Sequence, residues 1–440
     1  MANTYNYLRI ALQKLKGENS RNPAFFYITL VACCIPLSYG INSVALGLLV
    51  LYSAFTFKKA NFRVENTSLL PVALFVLMSL SLFWTHDMPG SLRALSKGLP
   101  LLIIPMCLLI LPPMTQKQVR AIFKYFAYGM VAFTIFYLVK SLVRYVLTGN
   151  TDVFFYHELV TEDVNAIHVS TYVVVALFYF ITKTSRSTRE IVSMVLLTIL
   201  LILLSSKNIL IVFGLLSCYY LWYFNSRPKG KLIKWGVVLF VILIAVLSSR
   251  IKQRLWIELE SNVTQNSVNY EIGTPTEKVY NVSVKDAWTK ETFAKNDYFP
   301  GTAFRVYQLR IFKEMLAEDS VFFTGYGLNA SDFRIRQKQI EHNLFEGYGQ
   351  KNFHNEYVQV FAELGFFGLV LLLIMVTINL RNALKSKDFM HISFAVLMIS
   401  LFLTESFLSR QRGIIFFTIM YCLFNLAKTN DRPQKQKELT

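Results

Sequence analysis

Residues 352–374 read NFHNEYVQVFAELGFFGLVLLLI, a polar start followed by an apolar run of membrane-spanning length. A helix that begins near Asn352 would place His354 in its first turn, at the boundary between water and lipid. Gly365 and Gly368 would lie roughly below His354, because eleven residues make almost three turns. Two small residues on one stripe let a neighbouring helix approach closely. The stretch predicts either a base at the mouth of a tight bundle or a histidine that only caps its helix.

The composition predicts an all-α polytopic membrane protein. The 440 residues are 54% hydrophobic, the mean hydropathy is +0.42, and many separate apolar runs are long enough to span a bilayer. The formal net charge of +18 would indicate a nucleic-acid partner in a soluble chain, but here basic cytoplasmic loops explain it better. All five cysteines lie in apolar runs, so no disulfide framework is predicted.

About twelve transmembrane helices are predicted. They cover residues 24–39, 41–57, 68–84, 98–112, 121–147, 165–182, 190–205, 207–224, 232–249, 355–378, 389–404 and 413–427. With the N-terminus inside, every predicted cytoplasmic loop is basic, as the positive-inside rule requires. The chain then divides into an N-terminal bundle of about nine spans (1–249), an external loop domain with short helices (250–354), C-terminal transmembrane helices (355–427) and a cytoplasmic tail (428–440).

A second set of cations falls on the predicted outer side, near the ends of spans. Cations placed there oppose the insertion bias, so as a set they indicate an anionic ligand at that surface. Pairing with local carboxylates such as Glu405, or snorkelling to lipid phosphate, is the alternative for each one. The set comprises Arg93, Lys97, Lys207, Arg250, Lys252, Arg254, Arg305, Arg310, Arg410 and Arg412.

Only the second half of the external loop has a sequence pattern from which secondary structure can be predicted. Residues 255–300 give no clear pattern, whereas from Thr302 onward an amphipathic helix is predicted with an apolar face of Phe304, Tyr307, Ile311 and Met315. Arg305 and Arg310 would lie about 140° apart around that helix, so both cannot reach one ligand. Arg305 is the better candidate to point into a cavity.

Other polar residues fall near the same predicted boundary. Lys207 is held there by a hairpin with almost no loop, and a lysine at this depth needs an anion or a water-filled cavity. His168 lies at a similar level and is either a packed or capping residue or a ligand. For Glu405, a pair with an arginine of its own hairpin is the favoured interpretation. Gly325 and Gly327 predict a tight turn that only weakly resembles a phosphate loop.

These residues favour one kind of chemistry. The six histidines lack metal-ligand spacing, and neither a metal nor another cofactor is predicted. A histidine base beside arginine and lysine side chains suits transfer of a sugar from a lipid-linked diphosphate. The cations can stabilise the leaving diphosphate, and the imidazole can take the proton of the acceptor hydroxyl.

The pattern His354-Asn355, nine residues, then Gly365-x-x-Gly368, placed directly after a large hydrophilic loop, resembles the signature of the O-antigen ligase/polymerase superfamily (WaaL- and Wzy-type membrane glycosyltransferases). The segment FRVYQLRIFKEMLAEDSVFFTGYGLNAS is similar to the arginine–helix–Gly-x-Gly segment of the family, with Arg305 at its arginine. LLSSKN resembles a span-ending segment of the family, but Lys207 stands where an arginine is usual.

The resemblance implies a GT-C-like, metal-independent, inverting glycosyltransferase of the bacterial inner membrane. Its donor would be a glycan on undecaprenyl diphosphate and its large loop would be periplasmic. His354 would be the base, while Arg305 and Lys207 would hold the diphosphate. Further diphosphate contacts and accessory residues are predicted at Arg310, Arg410, Arg412, His168, Asn355 and Glu405.

The acceptor stays open among three possibilities. Lipid A core, which would make the protein a ligase, ranks first; another lipid-linked repeat unit, as in a polymerase, follows closely, and a protein hydroxyl is third. A transporter or flippase of lipid-linked oligosaccharide is the competing hypothesis. It is disfavoured because the cations cluster at one face and no inverted repeat is visible.

Overall fold

The computed structural model describes residues 17, 22–58, 65–161, 164–224, 267–269 and 278–426, and this part of the chain is mostly helical. The predicted span 232–249, the cations Arg250, Lys252 and Arg254, and the tail 428–440 lie outside the described residues. The helices are Ala24–Cys34 (α1), Tyr39–Phe55 (α2), Asn66–Leu80 (α3), Met88–Gly98 (α4), Pro100–Ile110 (α5), Gln116–Thr148 (α6), Tyr156–Leu159 (α7), Ala166–Ile181 (α8), Thr188–Leu203 (α9), Lys207–Tyr219 (α10), Val284–Thr289 (α11), Gly301–Glu318 (α12), Asp332–Glu341 (α13), Glu356–Ser386 (α14), Phe389–Phe402 (α15) and Gln411–Leu426 (α16).

A helix covers each predicted span within the described residues. Helical stretches long and apolar enough to cross a membrane are Asn66–Phe83, Met88–Ile110, Gln116–Thr148, Lys207–Phe224 and Glu356–Ser386. Shorter apolar helices include α1, α2, α8, α15 and α16. The chain is therefore a polytopic helical membrane protein, while the number twelve stays a prediction.

Helices α8 and α16 form the centre of the bundle. Nearly every residue of both helices is buried, including Tyr172 of α8 and Tyr421 of α16, each fully enclosed. The helices α6, α9 and α10 lie at the periphery, since each exposes apolar side chains, among them Val139, Val192 and Ile211. This centre fixes the helix ends that carry the polar residues described below.

The hydrophilic loop has a small core of its own. Tyr307, Ile311 and Met315 of α12 are all buried there, so the predicted amphipathic helix is confirmed. The all-α prediction is wrong in one detail, because three two-residue strands form a small sheet. They are Ser267–Val268 (β1), Tyr280–Asn281 (β2) and Asp297–Tyr298 (β3), in the order β1-β2-β3, with the first pair antiparallel and the second parallel. Two-residue strands leave no period in the sequence from which they could be predicted.

Helix α14 is broken at Gly365, which has φ 67° and ψ −166°. A Cβ atom at this position would lie 2.1 Å from the Phe323 carbonyl oxygen, so the loop backbone approaches where only glycine fits. The predicted stripe of Gly365 and Gly368 facing a neighbouring helix is therefore wrong. Gly365 faces the backbone of the loop, and Gly368 packs on Leu364 and Val360 of its own helix.

The break allows the start of α14 to contact α15. Tyr357 donates a hydrogen bond from its hydroxyl to the Ile399 carbonyl of α15 at 3.3 Å. In a straight helix Tyr357 would rise about 43 Å from the connection between α14 and α15, whereas Ile399 rises only about 15 Å. The two residues meet because the segment before Gly365 folds back over the end of α15.

Backbone groups of the loop form the hydrogen bonds that the break in α14 would otherwise leave unmade. The N–H groups of Tyr326 and Gly327 donate to the carbonyls of Ala362 and Glu363, each at 2.9 Å, and Phe366 N–H donates to the Phe322 carbonyl at 2.8 Å. Unpaired peptide groups near a membrane are costly, and a discontinuous helix is tolerated where other protein groups satisfy them. The loop and α14 are therefore one structural unit.

Substitution of Gly365 by alanine is expected to destabilise this unit. The left-handed backbone alone costs a non-glycine residue roughly 1–3 kcal/mol, and the collision with Phe323 adds to that cost. We expect a clearly lower melting temperature of the detergent-solubilised protein. Gly47→Ala, in α2 with open space around it, is the matched control and should melt at or above the wild-type temperature. Equal melting of Gly365→Ala and wild type would contradict the described break.

Candidate functional site

His354 precedes α14 and does not lie in its first turn as predicted. The helix begins at Glu356, and Asn355 is its N-cap, accepting hydrogen bonds from the N–H groups of Tyr357 and Val358. His354 itself has φ 47°, a conformation uncommon for a residue with a side chain. Its N–H donates to the Asn352 side chain at 3.2 Å. The side-chain hydrogen bonds of Asn352 and Asn355 fix the backbone on both sides of His354. Its side chain is 29% exposed.

The imidazole faces Glu405, in the connection between α15 and α16. His354 Nδ1 lies 3.5 Å from Glu405 Oε2, and the Glu405 side chain is 6% exposed. Asn165, the N-cap of α8, also approaches this carboxylate, with Nδ2 at 3.5 Å from Oε1. The prediction that Glu405 pairs with an arginine of its own hairpin is therefore wrong. The broken α14 brings His354 closer than the hairpin arginines, so the carboxylate serves the histidine.

Glu405 is held as a carboxylate. Burial opposes ionisation of this side chain, but the nearby His354, His168 and Arg305 outweigh burial and lower the pKa of Glu405 below its ordinary value of 4.5. A buried carboxylate of this kind fixes the ring orientation of the histidine that it contacts.

Arg305 reaches the same connection from the loop. Its Nε and Nη2 atoms donate to the Thr404 carbonyl at 3.1 and 2.9 Å, and Nη1 donates to the Gly301 carbonyl at 2.9 Å. These three bonds go to carbonyl oxygens and leave two of the five guanidinium N–H groups for another acceptor. The rings of Phe304 and His354 lie 5.8 Å apart, edge to face. The structure therefore places Arg305 and His354 at the same connection, between α15 and α16.

Lys207 begins α10 beside this cluster. The next residue, Asn208, donates to the Thr404 hydroxyl at 2.7 Å and to the Ser400 carbonyl at 3.0 Å. Thr404 thus joins the start of α10 to Arg305. Lys207 is therefore a second cation at the same end of the bundle, the boundary position that the sequence predicted for it.

Other predicted residues make different contacts or lie at the surface. Arg310 is engaged within the loop by Glu314, at 2.8 Å, and by the Lys290 carbonyl. Arg412 is buried, with its guanidinium 4.1 Å from the Tyr39 ring. Arg410 is exposed in the structure, and Arg93 and Lys97 are exposed on α4.

His168 has the packed role that the sequence left open. Its side chain is buried, and its ring centroid lies 4.3 Å from that of Phe407. The Gly325-x-Gly327 turn forms as predicted, with positive φ at both glycines. The N–H groups of Tyr326 and Gly327 bond the broken helix α14, so this turn is a structural clamp and not a phosphate loop.

Sequence reasoning missed several residues that support the cluster. The Gln359 side chain accepts hydrogen bonds from Phe353 N–H at 3.2 Å and from the Ser406 hydroxyl at 3.4 Å, which ties the two sides of the site together. Buried Glu356 accepts from Leu408 N–H at 2.7 Å. Asn165 and Asn208 are polar residues at the starts of α8 and α10. Their position at the end of a predicted span was the signal from which the sequence could have identified them.

The arrangement combines a positioned imidazole, a buried carboxylate behind it, and cations at one end of a helix bundle. Among the described residues no group of three or more His, Cys, Asp or Glu side chains is arranged to hold a metal ion. The geometry supports proton transfer by His354 next to a bound anion.

Part of this site falls within a match to a known protein family. A family model described as O-antigen ligase matches residues 192–373, a little under half of the chain. The matched part contains Lys207, Arg305, His354 and Gly365, whereas Glu405 lies beyond it. No curated protein matches the chain. The match supports an enzyme, a membrane glycosyltransferase of ligase or polymerase type. Residues 192–373 thus match the O-antigen ligase family that their motifs resemble.

Proposed function

We propose that this protein transfers a glycan from undecaprenyl diphosphate to lipid A core at the periplasmic face of the bacterial inner membrane. The observation that carries the proposal is the meeting of His354, Glu405 and Arg305 at one connection, from three distant parts of the chain. The family match and the cluster of cations at one end of the bundle support it.

His354 acts as the base. Glu405 faces Nδ1 and favours the tautomer that carries its proton there, so Nε2 presents a lone pair to the acceptor. As the acceptor oxygen bonds to the anomeric carbon, its proton passes to Nε2 and the bond from that carbon to the diphosphate oxygen breaks. A single displacement of this kind inverts the anomeric configuration.

The cations stabilise the leaving group. Negative charge grows on the diphosphate as the bond breaks, and the two remaining N–H groups of Arg305 can bond to it. Lys207 contributes a point charge without the planar fork of an arginine, so it is the weaker of the two contacts. Arg410 is a further contact if the donor extends across the exposed surface of the connection.

A polymerase that joins lipid-linked repeat units would use the same chemistry with a different acceptor. The product lost on deletion of the gene distinguishes the two. Deletion of a ligase leaves lipopolysaccharide without O-chains, whereas deletion of a polymerase leaves O-chains of one repeat.

His354→Ala is expected to lower the rate of glycan transfer roughly 10²- to 10⁴-fold while leaving donor binding near the wild-type level. The reason is that a base acts on the acceptor proton and contributes little to holding the diphosphate. Single-turnover transfer and donor affinity are measured on the same purified protein. His157→Ala, an exposed histidine, is the control. Unchanged transfer by His354→Ala would remove His354 from the mechanism.

Arg305→Ala is expected to weaken binding of the polyprenyl-diphosphate donor by roughly tenfold to a hundredfold, the usual worth of charge-assisted hydrogen bonds. Arg305→Lys should recover part of this loss, because a point charge remains. The donor affinity of both variants is compared with that of Arg336→Ala, an exposed arginine on α13. Wild-type affinity in Arg305→Ala would reject the role of Arg305 in diphosphate binding.

A further inference from the structure

A second polar region lies at the opposite end of the bundle from His354. A cavity of about 1410 Å³ opens there among the starts of α3, α6 and α15 and the ends of α8, α10, α14 and α16. Sites for drug-sized molecules are usually smaller, at about 300–1,000 Å³. On the predicted topology this end faces the cytoplasm, at the level of the inner-leaflet headgroups.

The rim of the cavity is basic. Arg120, Lys183, Lys385 and Lys387 line it, against the acidic residues Glu65 and Asp388. Lys183 is paired with Glu190, and Asp388 caps α15 by accepting from Met390 N–H. Within the part of the chain that the structure describes, the other three cations form no ion pair. Their charge is available to an anion.

The wall below the rim is aromatic. Phe224, Phe389 and Tyr220 line one side and contact one another, with the ring centroids of Tyr220 and Phe389 4.8 Å apart. Phe123 and Phe424 line another part and are stacked at 4.6 Å. A basic rim above aromatic walls is suited to a molecule that has an anionic head and an apolar body.

A chain of buried polar side chains runs from this cavity into the bundle. Asn382 and Asn425 line the cavity, and Asn382 donates to the Asn425 side chain at 2.8 Å. Asn425 donates to Asn379 at 3.0 Å, and the Asn379 oxygen lies 2.8 Å from Nε2 of the fully buried His391. Polar groups inside a membrane protein are expensive and usually mark a functional cavity. The positive-inside rule accounts for basic loop residues but not for this interior chain.

We propose that this cavity binds an anionic phospholipid of the cytoplasmic leaflet, with its phosphate at Arg120, Lys385 and Lys387 and its acyl chains along the aromatic wall. Basic pockets between transmembrane helices on this side of a membrane are the places where anionic lipid headgroups bind. The volume exceeds what a small soluble anion needs, and a soluble anion would gain nothing from the aromatic wall. The site is separate from the His354 cluster and does not depend on the glycosyltransferase assignment.

The test is titration of the full-length, detergent-solubilised protein with phosphatidylglycerol, followed by native mass spectrometry. Arg120→Gln/Lys385→Gln is expected to weaken lipid binding about tenfold or more, because each basic residue near a headgroup contributes substantially. Lys117→Gln/Arg381→Gln removes the same charge from the same two helices, α6 and α14, outside the cavity lining, and should bind as wild type does. The charge-preserving Arg120→Lys/Lys385→Arg should retain binding, which separates loss of charge from misfolding.

Two further arms identify the ligand. Phosphatidylcholine should bind at least tenfold more weakly than phosphatidylglycerol, and glycerol phosphate should not displace the bound lipid. Equal losses in the two glutamine pairs would show that only general surface charge is involved and would overturn the proposal. Equal binding of phosphatidylcholine, or displacement by glycerol phosphate, would also overturn it, the latter in favour of a soluble anion.

Discussion

Backbone hydrogen bonds at Gly365 are the constraint on which the rest of the site depends. A continuous helix over residues 356–386 would carry its first turn far above the neighbouring α15. The break lets that turn fold back over the end of α15, and the loop turn at Tyr326 and Gly327 supplies the hydrogen bonds that the break requires. Glycine is needed because both the backbone angles and the distance to Phe323 exclude a side chain. The loop is therefore part of the device that positions His354.

The electrostatics of the site follow from that positioning. Glu405 is nearly enclosed and would resist ionisation alone, yet the nearby His354, His168 and Arg305 keep it a carboxylate. In the proposed mechanism the carboxylate orients the imidazole, and Arg305 keeps N–H groups for an incoming anion. Separation of roles between a carboxylate that orients and an imidazole that accepts the proton is a recurring solution in catalysis by histidine.

The sequence predicted much of the fold and of the candidate site, and its errors have physical reasons. The spans could be read from hydropathy, and the helix at Gly301–Glu318 from its apolar face, since burial imposes a period on both. The convergence of Arg305 and His354 followed from matching motifs to a family. The pairing of Glu405 with His354 could not be predicted, because it depends on the fold-back at Gly365. The pattern of two glycines on one helical stripe has two structural meanings, and only the three-dimensional structure shows that Gly365 breaks the helix. Gln359 acts through the Phe353 N–H and the Ser406 hydroxyl, and these contacts leave no periodic signal in the sequence.

The central claim is that His354 and Glu405 act as one unit, and a double-mutant cycle on the rate of glycan transfer tests it most directly. His354→Ala, Glu405→Gln and the combined variant are compared with wild type in single-turnover transfer, with donor affinity measured alongside. If the carboxylate acts through the imidazole, the combined variant should be no slower than His354→Ala alone, because Glu405 has nothing left to orient. If the loss of transfer rate in the combined variant equals the product of the two single losses, the two residues act independently. That result would contradict this description of the site.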